Sequence, residues 1–164
     1  MIYAVTIPPM DRTLGALGNI LTLAEAQCVA RKINPLALTG FRLFPDMLPF
    51  TKQVQLACDF AARAAARLSA SDVPSFPDVE TTFPELLTRI ATARAYMASV
   101  DQARFAGAAT RDITLKMRGA DVTMSGLDYL TLYSLPQFYF HATTAYNILR
   151  HNGIEIGKAD FMGA

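Results

Sequence analysis

Apolar residues recur along this chain at spacings of three and four, in four long stretches, and the pattern predicts four amphipathic helices. Met10, Leu14, Leu17, Leu21, Ala24 and Cys28 form the first stripe, so a helix is expected over about residues 10–32. Gly15 and Gly18 weaken that helix intrinsically but let a neighbour approach closely. Asn34-Pro35 reads as an N-cap followed by a first-position proline, opening a short turn that Gly40 closes. Phe50, Val54, Ala57, Cys58, Ala61, Ala65 and Leu68 make the second stripe, over about residues 49–69 with Pro45 as an alternative start. Lys52, Asp59, Arg63 and Arg67 fall opposite it and read as a solvated face, with Asp59 and Arg63 as an i,i+4 pair. Residues 71–81, with Pro74 and Pro77, read as an extended linker.

Thr82-Phe83-Pro84-Glu85 is a capping-box pattern that starts a third helix, and Leu86, Ile90, Ala93, Met97 and Val100 continue its stripe. The period then changes to two. Ile113, Leu115 and Met117, then Val122 and Met124, alternate with polar residues on either side of residues 118–121, which predicts a β-hairpin. Ser125 to Asp128 resembles a second capping box. The short helix it opens is expected to break near Ser134-Leu135-Pro136, because proline lacks a backbone donor and disfavours helical geometry before it. A fourth long helix follows to His151, and Asn152-Gly153 stops it. The tail from residue 154 is expected to pack back through Ile156 and Phe161. These elements predict one mainly all-α domain over residues 1–164, a four-helix bundle with long crossover connections and a small β-hairpin insert before the last helix.

Composition narrows the function classes. The chain is 52% hydrophobic and 18% charged, which suits a packed core and excludes a disordered, charge-rich chain. A net charge of +1 gives no electrostatic case for nucleic acid or an acidic membrane surface. No apolar run approaches the ~20 residues of a membrane span, and the first residues lack the pattern of a secretory signal. Cys28 and Cys58 each lie on an apolar stripe, where cysteine acts as a small hydrophobe. They read as reduced thiols of a cytoplasmic protein, with a Cys28–Cys58 disulfide as the alternative.

Three segments carry a family resemblance: FPDMLPFTKQVQLACDFA from Phe44, VETTFPEL from Val79, and LPQFYFHATTAYNILRHNGIEIGKADFMG from Leu135. In these the chain resembles the DinB/YfiT-like superfamily of metalloenzymes, and more closely a bacterial branch known only as a domain of unknown function. The resemblance implies a four-helix bundle, often a homodimer, with a cavity between the helices at one end. It also implies the chemistry from which this chain departs. Many members of the wider superfamily hold a divalent metal with three histidines, one on the second helix and two spaced four apart on the last. Here the second helix has no histidine, and His141 has Gln137 four residues before it and Ala145 four after. One imidazole does not make such a site, so no metal and no cofactor are expected.

The remaining candidates cluster around His141. On a helix, Gln137, His141, Thr144 and Ile148 share a face beside the apolar stripe of Phe138, Ala142, Ala145 and Leu149. His141 is therefore a candidate general base or acid; the alternative is a partly buried histidine satisfied by a carbonyl or by Asp46. Asp46 is the candidate catalytic partner, or else a charge at the start of the second helix, with Gln53 on the same helix edge. Gln55 and Asp59 lie on the other edge. Gln137, Gln53, Tyr133 and Tyr139 are candidate ligand-binding residues, with Tyr129 as a further lining residue. His151 reads as a cation at a helix C-terminus. Gly153 to Lys158 is one residue short of a phosphate-binding loop and follows a helix, so it is not read as one. The expected function is binding of a small apolar or amphipathic ligand in a metal-free cavity beside His141. A metal- or thiol-cofactor-dependent transferase or hydrolase and a non-catalytic dimeric scaffold are the two alternatives.

Overall fold

Four long helices carry the molecule, and the computed structural model describes residues 1–163. In chain order the elements are α1 (Ile2–Arg31), α2 (Pro35–Thr39), α3 (Phe50–Leu68), α4 (Phe83–Ser99), β1 (Asp112–Met117), β2 (Ala120–Ser125), α5 (Gly126–Asp128), a π-helical turn (Tyr129–Ser134), α6 (Leu135–His151) and α7 (Lys158–Met162). Helices α1, α3, α4 and α6 form the bundle. α3 lies at its centre, packed on α6, α4 and α1. The predicted stripes of α1, α3 and α4 are all buried.

The centrality of α3 follows from its alanines. Ala57, Ala61, Ala62, Ala64, Ala65 and Ala66 are fully buried, and side chains this small let helices close in from several sides. The expected solvated face of α3 is therefore not solvated throughout. Gln53, Gln55, Asp59 and Phe60 are buried beside the apolar stripe.

Two boundaries differ from expectation, both at prolines. α1 begins at Ile2, with Pro8 and Pro9 inside it, rather than near Met10. In an α-helix the missing N–H groups would have engaged the carbonyls of Ala4 and Val5. Both residues are exposed, so water can satisfy those carbonyls. Burial of Ile2, Thr6 and Ile7, and the Tyr3 ring set edge-on to Phe105 at 5.2 Å, hold the first turns in place. The predicted break at Ser134–Pro136 is likewise absent. The backbone stays helical through Ser134 and Leu135, and the Leu135 N–H donates to Leu130 O, five residues back. The wider turn accommodates Pro136 at the start of α6, where its missing donor costs least.

The other local signals behave as their chemistry dictates. Thr82 and Glu85 form the reciprocal capping box of α4, and the Ser125 hydroxyl accepts from the Asp128 N–H. The strands pair antiparallel from Asp112↔Ser125 to Met117↔Ala120, through a two-residue turn in which Arg118 and Gly119 both have positive φ. Ile113 and Leu115 are buried while Asp112, Thr114 and Lys116, which alternate with them, are exposed, so β1 docks by one face. The tail turns back through buried Ile156, and α7 packs on α1, where Arg12 donates to Met162 O. Phe161 meets Tyr146 edge-on at 5.6 Å. Cys28 and Cys58 are free and buried, and burial pushes both thiols up.

Candidate functional site

His141 and Gln53 are brought together by the α3–α6 packing. His141 Nδ1 lies 2.7 Å from Gln53 Oε1. Gln53 Nε2 donates to Leu48 O, which fixes which end of the amide faces the imidazole. An amide oxygen only accepts, so Nδ1 carries the proton and Nε2 keeps its lone pair. Nε2 makes no hydrogen bond among the described residues. The ring stacks on Phe60 at 5.6 Å with an interplanar angle of 9°, and Phe140 meets it edge-on at 5.3 Å. His141 is buried, and that burial lowers its pKa below the ordinary histidine value. The arrangement holds a neutral imidazole in one tautomer with one basic nitrogen unspent.

Stability should respond to this. The unfolded chain protonates His141 near pH 6.5, whereas the folded chain resists until a lower pH. Its contribution is therefore complete above about pH 6.5 and declines as the pH falls from there toward the folded-state value. Urea unfolding between pH 7.5 and 5 should show this loss, and His141→Phe should flatten that part of the profile. An unchanged slope in the variant would remove His141 as its source.

A surface cavity of about 330 Å³ is lined by Leu132, Tyr133, Pro136, Gln137 and Phe140, the last of which meets the His141 ring. Tyr133 packs on Phe60, the ring that stacks on His141, with centroids 5.9 Å apart. Tyr133 and Gln137 thus share one cavity. Tyr139 does not join them; it lines a smaller cleft of about 170 Å³ with Pro9, Arg12, Thr13, Phe161 and Met162. Tyr129 is fully buried, its hydroxyl accepting from Arg67 Nη1 at 3.3 Å. Asp46 is exposed in the turn before α3, which starts only at Phe50, and it makes no hydrogen bond or ion pair among the described residues. The partner of His141 is Gln53. His151 is exposed with its ring against Phe41 at 5.8 Å, and the carbonyl of Gly153 is taken by Arg31 instead.

The donor set does not fit the three-imidazole metal site of the wider superfamily. The α3 side chain that faces His141 is a carboxamide, its oxygen already committed to Nδ1. Among the described residues no three His, Cys, Asp or Glu side chains are grouped to hold a metal ion. No helix among them is long and apolar enough to cross a membrane.

A second polar centre lies outside the candidates named above. Arg89 of α4, 3% exposed, donates to Asp59 at 2.5 Å, Glu80 at 3.1 Å and Asp78 at 3.2 Å. Arg63 pairs with the other oxygen of Asp59, and Lys52 with the other oxygen of Asp78. Burial works against the Arg89 charge, but Asp59 and Glu80 outweigh it and raise its pKa. Burial likewise opposes ionisation of Asp78, and Lys52 and Arg89 overcome it, holding the carboxyl below its usual range. Spacing carried the signal: Arg89 lies three residues after Leu86 and four before Ala93, on the buried stripe.

Comparison with known proteins gives the following. The family model described as "Domain of unknown function (DUF1993)" matches residues 2–162. Comparison with curated proteins finds no match. Among solved structures, the crystal structure of a DinB family member protein from Shewanella denitrificans aligns with a TM-score of 0.94. It is 38% identical, over 100% of this chain and 93% of that one.

Proposed function

We propose, for a chain that belongs to the DUF1993 family and has the DinB-type bundle, that it binds a small apolar or amphipathic ligand beside His141. The observation that supports this is the neutral imidazole fixed by Gln53, in contact with the Phe140 ring of a cavity whose lining carries no charge. A charged ligand would find no counter-ion among Leu132, Tyr133, Pro136, Gln137 and Phe140. A neutral aromatic alcohol or amine would stack on the rings and donate to Nε2, with Gln137 and the Tyr133 hydroxyl as further partners.

The test uses histidine labelled with ¹⁵N and titrations with phenol and indole. The expected result is a saturable shift of the His141 Nε2 resonance, and a five- to tenfold weaker dissociation constant in His141→Ala. That loss corresponds to about 1 kcal/mol for one hydrogen bond. Anisole, which lacks the donor, should bind no better to the wild type than to the variant. No perturbation of Tyr133, Gln137, Phe140 or His141 by any of these probes would overturn the reading.

A second reading is favoured by one observation: Leu132 and Phe140 at the cavity rim are 74% and 56% exposed. A second copy of the chain seated there would cover them. Under that reading, light scattering should report a dimer, and Leu132→Glu should return it to a monomer. A wild-type monomer at high concentration would dismiss the dimer and leave the small-molecule reading standing.

A further inference from the structure

We infer that the groove between α3 and α4 is an acceptor site for an extended acidic peptide segment, and that residues 72–81 occupy it in cis as a removable strap. The strap is fastened almost entirely through side chains. It makes no backbone-to-backbone hydrogen bond among the described residues. Its ordinary strand-like pairing potential is therefore unused, and its position depends on what α3 and α4 hold out to it.

What they hold out is a fitted set of donors. Glu80 Oε1 accepts from Arg89 Nη1 at 3.1 Å, and Glu80 Oε2 accepts from Gln55 Nε2 at 2.8 Å. Asp78 Oδ1 accepts from Arg89 Nη2 at 3.2 Å, and Asp78 Oδ2 from Lys52 Nζ at 2.7 Å. Each carboxylate is thus held by one donor from α3 and one from α4. The main chain is recognised too: Arg89 Nη1 donates to Pro77 O at 2.9 Å, and the Tyr96 hydroxyl to Asp72 O at 2.7 Å. Phe76 lies over the guanidinium at 4.9 Å.

Arg89, the donor that both carboxylates share, does not depend on the strap for its position. Arg89 is anchored to Asp59 at 2.5 Å, and Asp59 is itself held by Arg63 at 2.7 Å, all on the bundle helices. Without the strap, the groove presents Lys52, Arg63 and Arg89 against the carboxylates of Asp59 and Glu85, a net positive charge of one suited to an acidic segment. The strap also leaves capacity unspent. Arg89 Nε and Gln55 Oε1 are buried with no hydrogen-bond partner among the described residues, one a donor and one an acceptor. A cleft of about 300 Å³ beside the strap, lined on the α4 side by Glu85, Thr88, Arg89 and Thr92, gives room for an incoming chain. Tethered at both ends, the strap competes at an effective concentration on the order of millimolar. A partner must therefore present the same acidic spacing and bind more tightly than the strap does.

The test is a trans-peptide titration. A fluorescent synthetic peptide with the sequence of residues 72–81 is titrated onto wild-type protein and onto D78N/E80Q, in which the resident carboxylates are neutralised. The control peptide carries Asn and Gln at the two acidic positions. The acidic peptide should bind D78N/E80Q at least tenfold more tightly than the control does, and more tightly than it binds wild type. Its affinity should fall as salt rises. Equal binding of the two peptides, or no binding by a folded variant, overturns the inference. Should D78N/E80Q fail to fold, amide chemical shifts of the wild type decide. Millimolar acidic peptide should move the Phe76, Asp78, Val79 and Glu80 resonances toward those of the free peptide, and unchanged resonances overturn it.

Discussion

Replacing Arg89 by methionine should destabilise the protein by about 3–5 kcal/mol, the range found when one partner of a buried ion pair is removed. The reason lies in what remains. Asp59 is 7% exposed and loses its 2.5 Å partner, keeping only Arg63. Glu80 and Asp78 lose a donor each, and the Pro77 carbonyl loses its own. Methionine fills much of the volume but returns none of these bonds. Urea unfolding measures the loss, and the double variant D59N/R89M separates its parts. If the unpaired carboxylate is the main cost, the double variant should be more stable than R89M alone. A loss below about 1 kcal/mol in R89M would mean that solvent reaches the cluster and screens it.

Gly126→Ala should be the second most damaging change, at about 3 kcal/mol, the upper part of the range for overpacking. An added Cβ would overlap Ala108 O and sit 3.3 Å from Leu68 Cδ2. The first contact is with backbone, so no rotamer change relieves it. The loop at Ala108 must retreat, which strains the bond from Leu127 N–H to Ala109 O at 2.9 Å. Gly18→Ala is the internal comparison. There the new Cβ meets Leu87 and Ile90 side chains at 3.8 and 3.9 Å, ordinary contact, and alanine is the better helix former by roughly 1 kcal/mol. Thermal unfolding should therefore move in opposite directions for the two variants. A neutral Gly126→Ala would show that the loop yields freely.

Most of the helical architecture could be read from the chain because stripes, caps and turns are local signals. The α3 and α4 stripes, the Thr82–Glu85 box and the Ser125 cap all rest on residues within four positions of each other. The two proline boundaries were misread for the same reason. Pro8, Pro9 and Pro136 do remove donors, but tertiary packing of Ile2, Ile7 and Tyr3, and a wider helical turn, outweigh that local cost. The site was legible only in part. His141 meets Gln53 directly, and Gln137 and Tyr133 line one cavity, whereas Asp46 was placed by assuming that α3 extended back past Phe50. Asp59 looked solvated because Arg63 stands four residues on; its deeper partner, Arg89, lies 30 residues away, beyond any local pattern.

The π-helical turn at Tyr129–Ser134 sets a phase between two parts of one continuous rod. Each residue of an α-helix advances about 100° around the axis, so one residue more or fewer in that turn rotates everything on one side of it by that amount. Leu68 and Ala108 fix the side before the turn through Gly126, and Gln53 and Phe60 fix the side after it through His141. Among descendants of this sequence, a single-residue deletion within 129–134 would therefore be selected against, although it shortens the rod by only about 1.5 Å. Insertions and deletions should accumulate instead in segments such as the Arg118–Gly119 turn, where no two docked faces must keep a common angle.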